Sequence, residues 1–271
     1  NNVPHVGHCH PKVTEAIYKQ SCQLNTHTRY LHEGIVRYLD KLTSTFYEYI
    51  SSAILTCTGS EANDLALRMG EVMSGKTGVI ATDHTYHGNT ATVSQLSLTN
   101  SPRIGKKDNI RYVPAPDSYR PLGGKAGMDH GNAFAVQVKK MIEELESSEH
   151  GFSAIIICPF FANEGFPNLC DGFLDPTVRL VHDAGGIVIA DEVQPGFGRL
   201  GSHMWGHQKI GLKPDIVTLG KPMGNGYPIA GVMTSPEILS AFQDSYRYFN
   251  TFGGNPVACA AGEAVLDIID E

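Results

Sequence analysis

Lys221 follows a short apolar run and stands between a glycine and a proline, in D215-I-V-T-L-G-K-P-M-G-N-G-Y-P-I-A-G231. The run has the length of a buried strand. Pro222, Gly224, Gly226 and Pro228 prevent it from continuing as helix or strand. Open α/β sheets bind ligands at the carboxyl ends of their strands, so Lys221 is placed to put its amine to chemical use. Most lysines only carry a surface charge, so partners are needed. T56-C-T-G-S-E-A-N-D-L-A-L-R68 supplies one. A strand ends, a turn follows, and a helix starts at Gly59-Ser60. Its free N–H groups and the Ser60 hydroxyl form an anion site suited to a phosphate. The same residues also read as a Ser N-cap with acidic residues in the first turn. The Lys-Ser/Thr of a nucleotide P-loop is missing, which disfavours ATP.

Two further segments carry chemistry. G186-I-V-I-A-D-E-V-Q194 delivers Asp191 and Glu192 to the end of a buried strand. Adjacent strand residues point to opposite faces, so the two are no glycosidase-type pair and one of them can enter a site. A carboxylate there needs a cation or a protonated ring beside it; a structural ion pair or a magnesium ligand are the other readings. In D83-H-T-Y-H-G88, Tyr86 can stack on a flat heterocycle and His87 can donate a hydrogen bond. A packed tyrosine and a satisfied core histidine fit that segment too. G196-F-G-R-L-G201 matches G-x-G-x-x-G, but Gln194 and Pro195 separate it from the strand and no clear helix follows, so it does not read as a dinucleotide site. His5, His8, Cys9 and His10 lie too close together for a structural zinc cage, and no metal is expected.

These residues need a scaffold. Helical spacing covers Val13–Gln20, Glu33–Thr43, Glu61–Met73, Phe134–Glu146, Pro176–His182 and Ala258–Glu271. Strands are expected at Ser52–Thr56, Gly78–Ala81, Ala154–Cys158, Gly186–Ala190, Asp215–Leu219 and Gly231–Thr234, and Ser101–His130 reads as a proline-rich surface loop. The alternation predicts an α/β protein with a mainly parallel sheet covered on both faces. The 271 residues are 41% hydrophobic and 18% charged, the balance of a chain with a large core. A net charge of −7 argues against nucleic-acid and anionic-membrane partners. No apolar stretch approaches a membrane span, and no signal peptide opens the chain. Six cysteines without a repeating spacing imply free thiols in a reducing cytosol, hence a cytoplasmic protein. The first eleven residues read as the middle of something and the last helix stops in mid-run, as in a piece of a longer protein.

A phosphate cup, a carboxylate, a flat aromatic and a lysine thus meet at the strand ends of one sheet. Pyridoxal phosphate needs that set: a lysine for the Schiff base, a carboxylate to keep the pyridine nitrogen protonated, and N–H groups for the phosphate. The sequence also resembles the class III pyridoxal-phosphate aminotransferases of fold type I. The motifs are G59-S-E-A-N63, Y86-H-G88, A190-D-E-V-Q-P-G-F-G-R199, L219-G-K-P-M-G-N-G-Y-P-I-A230 and the segment Phe249 to Pro256, which reads F-N-T-F-G-G-N-P. The resemblance implies a three-layer sandwich with a mainly parallel mixed sheet. It divides the chain into a partial N-terminal segment, 1–36, and the large cofactor domain, 37–271, without the C-terminal small domain. It makes Lys221 the Schiff-base lysine and Asp191 the ring-nitrogen partner. Val193 then lies under the ring, Gln194 near its hydroxyl, Gly59 and Ser60 at the phosphate, and Tyr86 stacked on the ring, with His87 also counted among the cofactor-binding residues. Thr251 would reach the cofactor phosphate of a neighbouring subunit, which implies a homodimer with shared sites.

Within the family, N1-N-V-P-H-V-G-H-C-H-P11, R29-Y-L-H-E33 and F249-N-T-F-G-G254 resemble the subgroup of alanine–glyoxylate aminotransferase-like enzymes and phospho-lyases. The expectation is transamination between an amine or amino acid and a keto acid. Elimination of phosphate from a substrate such as phosphoethanolamine, and a cofactor-binding remnant without activity, are the alternatives. One departure bears on substrate. Many members carry Glu-Pro-[Val/Ile]-Gln-Gly-Glu where this chain has C158-P-F-F-A-N163, so Cys158 and Asn163 replace both glutamates.

Overall fold

The computed structural model describes residues 2–98, 105 and 107–271. Parts of the predicted 101–130 loop, residues 101–104 and 106, lie outside them. Helices α1 (Pro11–Gln23) and α2 (Glu33–Thr43) lead into strand β1 (Ser52–Thr56), helix α3 (Gly59–Ser74) and strand β2 (Gly78–Thr82). Strand β3 (Ile110–Val113), helix α4 (Gly127–Glu146), strand β4 (Phe152–Ile157), helix α5 (Asp175–Asp183) and strand β5 (Ile187–Asp191) follow. The chain continues through α6 (Gly206–Lys209), β6 (Ile216–Leu219), β7 (Ala230–Thr234), α7 (Pro236–Ser245) and α8 (Pro256–Asp270).

The seven strands form one sheet in the order β1-β7-β6-β5-β4-β2-β3. All neighbours are parallel except β7, which is antiparallel to both β1 and β6. This is the expected mainly parallel mixed sheet. It differs from the sequence reading at three elements, the one-turn helix α6 and two others. Ile110-Arg-Tyr-Val113 is an edge strand inside the predicted loop; four residues closed by Pro114 give too short a period to read. Helix α7 is absent from the sequence expectation, although Ser235 caps it by accepting from the Ile238 N–H and Pro236 opens its first turn.

The pleat sorts the side chains of the central strands between two cores. Ile155, Ile157, Val188, Ala190, Val217 and Leu219 pack on the face that carries α4, α5 and α8. Ala154, Ile156, Ile187, Ile189 and Ile216 pack on the face that carries α3 and α7. By the same alternation, Asp191 and Thr218 must point toward α3, and Glu192 must point away from it.

A clamp from the N-terminal segment holds the turn beyond Lys221. The Val6 N–H donates to Asn225 Oδ1 at 3.1 Å, and Asn225 Nδ2 donates to the Gly7 carbonyl at 2.8 Å. His5 Nε2 lies 2.5 Å from the Phe197 carbonyl, and Arg199 Nη2 lies 2.6 Å from His5 Nδ1. Nδ1 therefore accepts from the guanidinium, Nε2–H donates, and the ring is neutral. Burial and the Arg199 charge push His5 below the usual histidine range. A group whose folded pKa is depressed stabilises the fold above its unfolded pKa and ceases to do so as pH falls through the folded value. Unfolding free energy should therefore fall as pH drops below about 6.5. In His5→Gln that slope should flatten, and denaturant titrations at stepped pH check both.

Candidate active site

A cavity of about 350 Å³ opens at the carboxyl ends of β1, β2, β4, β5 and β6. Gly59, Ser60, Tyr86, His87, Asp191, Val193, Gln194 and Lys221 line it, so eight of the nine residues read from sequence are brought together. Gly88, Cys158, Ala162 and Asn163 line it as well. Thr251 is not among the lining residues; it is exposed on the turn before α8.

Asp191 ends β5 and is only 4% exposed. Its Oδ2 accepts from His87 Nδ1 at 2.6 Å and from Asn63 Nδ2 at 2.9 Å, and its Oδ1 accepts from the Val193 N–H at 3.0 Å. A nitrogen facing a carboxylate must carry a hydrogen, so His87 holds its proton on Nδ1. His87 Nε2 pairs with Thr85 Oγ1 at 2.9 Å. Glu192 goes to the other face, as the pleat requires. It is fully buried and accepts from the Gly206 N–H at 2.9 Å, the His207 N–H at 2.6 Å and His207 Nδ1 at 2.8 Å. Three donors occupy it, and it serves the scaffold.

The helix start differs from the Ser N-cap reading. Thr58 is the N-cap: its hydroxyl accepts from the Glu61 N–H at 3.2 Å, and Glu61 reaches back to the Thr58 N–H at 2.8 Å. The Thr58 carbonyl accepts from the Ala62 N–H at 3.0 Å. The N–H groups of Gly59 and Ser60 are then the two first-turn donors left for an anion. Ser60, freed from capping, pairs through its hydroxyl with Asn89, whose N–H donates to it at 3.1 Å. The cup is built to backbone tolerance. A Cβ on Gly59 would stand 2.9 Å from both Val193 methyls, and one on Gly88 would collide with the Ser60 hydroxyl and lie 2.9 Å from its Cα.

Lys221 Nζ donates to Gln194 Oε1 at 2.8 Å. Its backbone is left-handed, with φ 33°, a conformation that costs a non-glycine residue about 1–3 kcal/mol. The preceding Gly220 packs on the Gly59 backbone, which ties the lysine turn to the phosphate cup. Cys158 follows β4 and faces the same cavity. Burial, helped by the neighbouring Asp191 charge, pushes its thiol well above the ordinary cysteine range. The loop 196–201, which carries the G-x-G-x-x-G pattern, is all turns and opens no helix.

Sequence reasoning missed Asn63 and Glu164. Asn63 is visible as the last residue of G59-S-E-A-N63, one turn into a helix whose start faces the site. Glu164 follows Asn163 directly and accepts from Thr82 Oγ1 at 2.5 Å. A carboxylate thus persists beside the substituted turn, displaced by one residue.

These residues suit pyridoxal phosphate: an anion cup with two N–H groups left by the cap, a carboxylate fixed by three donors, an aliphatic and an aromatic side chain, and an amine, all on one cavity. A model of the family described as aminotransferase class III matches residues 2–271. The chain belongs to this family. Pyridoxal phosphate is accordingly the cofactor of this class III aminotransferase-family pocket. An alanine–glyoxylate aminotransferase 2-like protein of Drosophila melanogaster is 40% identical over 281 residues, covering 100% of this chain and 56% of that one. Ethanolamine-phosphate phospho-lyase homolog 1 of Caenorhabditis elegans is 35% identical, covering 100% of this chain and 61% of that protein. A solved Arthrobacter phospholyase in complex with phosphoethanolamine is 42% identical with a TM-score of 0.93, covering 100% of this chain and 64% of that one. The chain thus spans between 56% and 64% of the length of these relatives.

Two outcomes check the geometry. Gly88→Ala should push Ser60 out of the cup and weaken pyridoxal phosphate binding by about tenfold or more, the equivalent of about 1.4 kcal/mol, in a fluorescence titration. Iodoacetamide at pH 8 should label the exposed Cys9 and Cys22 and leave the buried, protonated Cys158 unmodified, as peptide mass mapping will read.

Proposed function

We propose that this class III family chain moves an amino group from an amine or amino acid to a keto acid. The observation that carries the reading is the arrangement of Lys221 and Asp191. Lys221 Nζ, held by Gln194, enters the same cavity as a carboxylate fixed by three donors. When bound, pyridoxal phosphate supplies the electron sink that makes the substrate α-carbon acidic. The Gly59 and Ser60 N–H groups would hold its phosphate, Val193 and Tyr86 would flank its ring, and Asp191 would hold a proton at the ring nitrogen. The Lys221 amine would anchor it and, once free, would serve as the base that takes a proton from the substrate and gives it back. Gln194 orients Nζ for that transfer.

The same residues would serve elimination of phosphate and ammonia. The 42% identity with the Arthrobacter phospholyase supports that second reading. Cys158 and Asn163, in place of two glutamates, support a third, cofactor binding without turnover. The reading includes a homodimer, supported by an exposed aromatic face. Tyr30, Phe249 and Phe252 stand out of the surface beside Arg29, whose guanidinium covers the Phe249 ring at 4.4 Å. Thr251 belongs to that face and would complete the partner's site. A cytoplasmic location is supported by the six free thiols.

Addition of pyridoxal phosphate should give a visible absorption band that Lys221→Ala loses. An amine screen should then bleach the band and yield a carbonyl product, with a keto acid restoring it. Phosphate released from phosphoethanolamine without any keto acid would replace transamination by the lyase reading. A band that no amine bleaches would leave only the binding remnant, and absence of the band at saturating cofactor would overturn all three.

A further inference from the structure

Asn63 is fully buried, yet it does not line the cavity. Its side chain joins three segments. Nδ2 donates to Asp191 Oδ2 at 2.9 Å and to the His87 carbonyl at 2.7 Å, while Oδ1 accepts from Thr218 Oγ1 at 2.6 Å. The orientation of the amide follows from its partners. A carboxylate and a carbonyl can only accept, so both must face the NH₂ group, and the hydroxyl is left to donate to the oxygen. Both amide hydrogens are committed, one to the carboxylate and one to the backbone of the residue that also grips that carboxylate. Asn63 and His87 therefore hold Oδ2 from two sides and are themselves tied together. The Val193 N–H holds Oδ1. Rotation of the carboxylate about its Cβ–Cγ bond would break all three bonds at once.

We infer that Asn63 is a positioning residue for the cofactor: it aims the Asp191 carboxylate at the ring nitrogen and does nothing at the phosphate or the lysine. The inference rests on the reading of the pocket given above, in which Asp191 meets that nitrogen. Thr218 acts one step further back, by fixing which end of the Asn63 amide faces Asp191. The coupling runs from β6 to α3 to β5, through Thr218, Asn63 and Asp191, three fully or nearly fully buried polar residues. An asparagine kept only to fill space would show no such selectivity for one atom of the ligand.

The test compares pyridoxal phosphate with its 1-deaza analogue, in which carbon replaces the ring nitrogen. Both are titrated by fluorescence into ligand-free wild type, Asn63→Ala and Thr218→Val. Wild type should prefer pyridoxal phosphate. Asn63→Ala should lose about tenfold on pyridoxal phosphate and less than about twofold on the analogue. Thr218→Val, which keeps the shape of the core and carries the test should Asn63→Ala not fold, should lose about threefold on pyridoxal phosphate alone. The pH profile of the bound cofactor's absorbance should shift in both variants. Equal losses on the two ligands, or none on either, would show a purely structural role and overturn the inference while the pocket reading stands. A wild type that binds both ligands equally would show that Asp191 does not meet the nitrogen, and the inference would fall together with that part of the reading.

Discussion

A carboxylate almost wholly withdrawn from water at the end of a central strand is the constraint on which this structure turns. An isolated buried charge is costly by several kcal/mol, and Asp191 is only 4% exposed. Its compensation comes from three separate segments: the helix after β1, the loop after β2 and the turn after β5. Each must be in place before the carboxylate is tolerable. The strand order makes that possible, because β5 lies between β6 and β4, with β2 one strand further, and α3 crosses above them. Asn63 lies 128 residues from Asp191 along the chain and His87 lies 104 away. Only Val193 is a near neighbour in sequence. The site is therefore an outcome of sheet order.

The pleat then divides labour between two adjacent acids. Asp191 faces α3 and the cavity. Glu192, on the other face, binds the start of α6 and His207. That second anchor fixes both ends of the loop 193–205, whose first residues, Val193 and Gln194, form one wall of the cavity. A single step along the strand thus separates a carboxylate that lines the cavity from one that braces the loop forming its wall. The two cannot be exchanged, since a one-residue slip would turn every side chain of the strand to the wrong face.

Much of this is legible in the sequence. Alternating apolar runs and helical spacing place nearly all the central elements, because buried parallel strands are short, apolar and punctuated by glycine. The site residues are legible for a related reason: chemistry at strand ends leaves polar residues where an apolar run stops, as at Asp191 and Lys221. What stays hidden depends on contacts across long stretches of chain. Asn63 looks like any polar residue one turn into a helix until the fold sets it against Asp191 and Thr218. Thr58 and Ser60 compete for the same cap, and only the reach of Glu61 to the Thr58 N–H decides between them. Strand β3 is four residues on an edge, too short for a period to show.

Two parts of the cavity wall are held in different ways. The cofactor end is made of strand ends, a capped helix start and glycines that admit no side chain, all mutually packed. Another part of the wall is the turn 158–164, where Phe161 takes a left-handed backbone with φ 51° and Cys158, Ala162 and Asn163 line the space. The hydrogen bonds that hold Asp191 and Lys221 come from Asn63, His87, Val193 and Gln194, all outside that turn. Substitutions there change the charge and shape of the cavity without removing any of those bonds. Cys158, kept neutral by burial beside Asp191, removes a negative charge that a glutamate would add at the same strand end, while the Glu164 carboxyl a few residues on accepts from Thr82. The Asp191 and Lys221 end is thus locked by strand ends and hydrogen bonds, while the turn 158–164 is anchored separately, through Phe161 in the core.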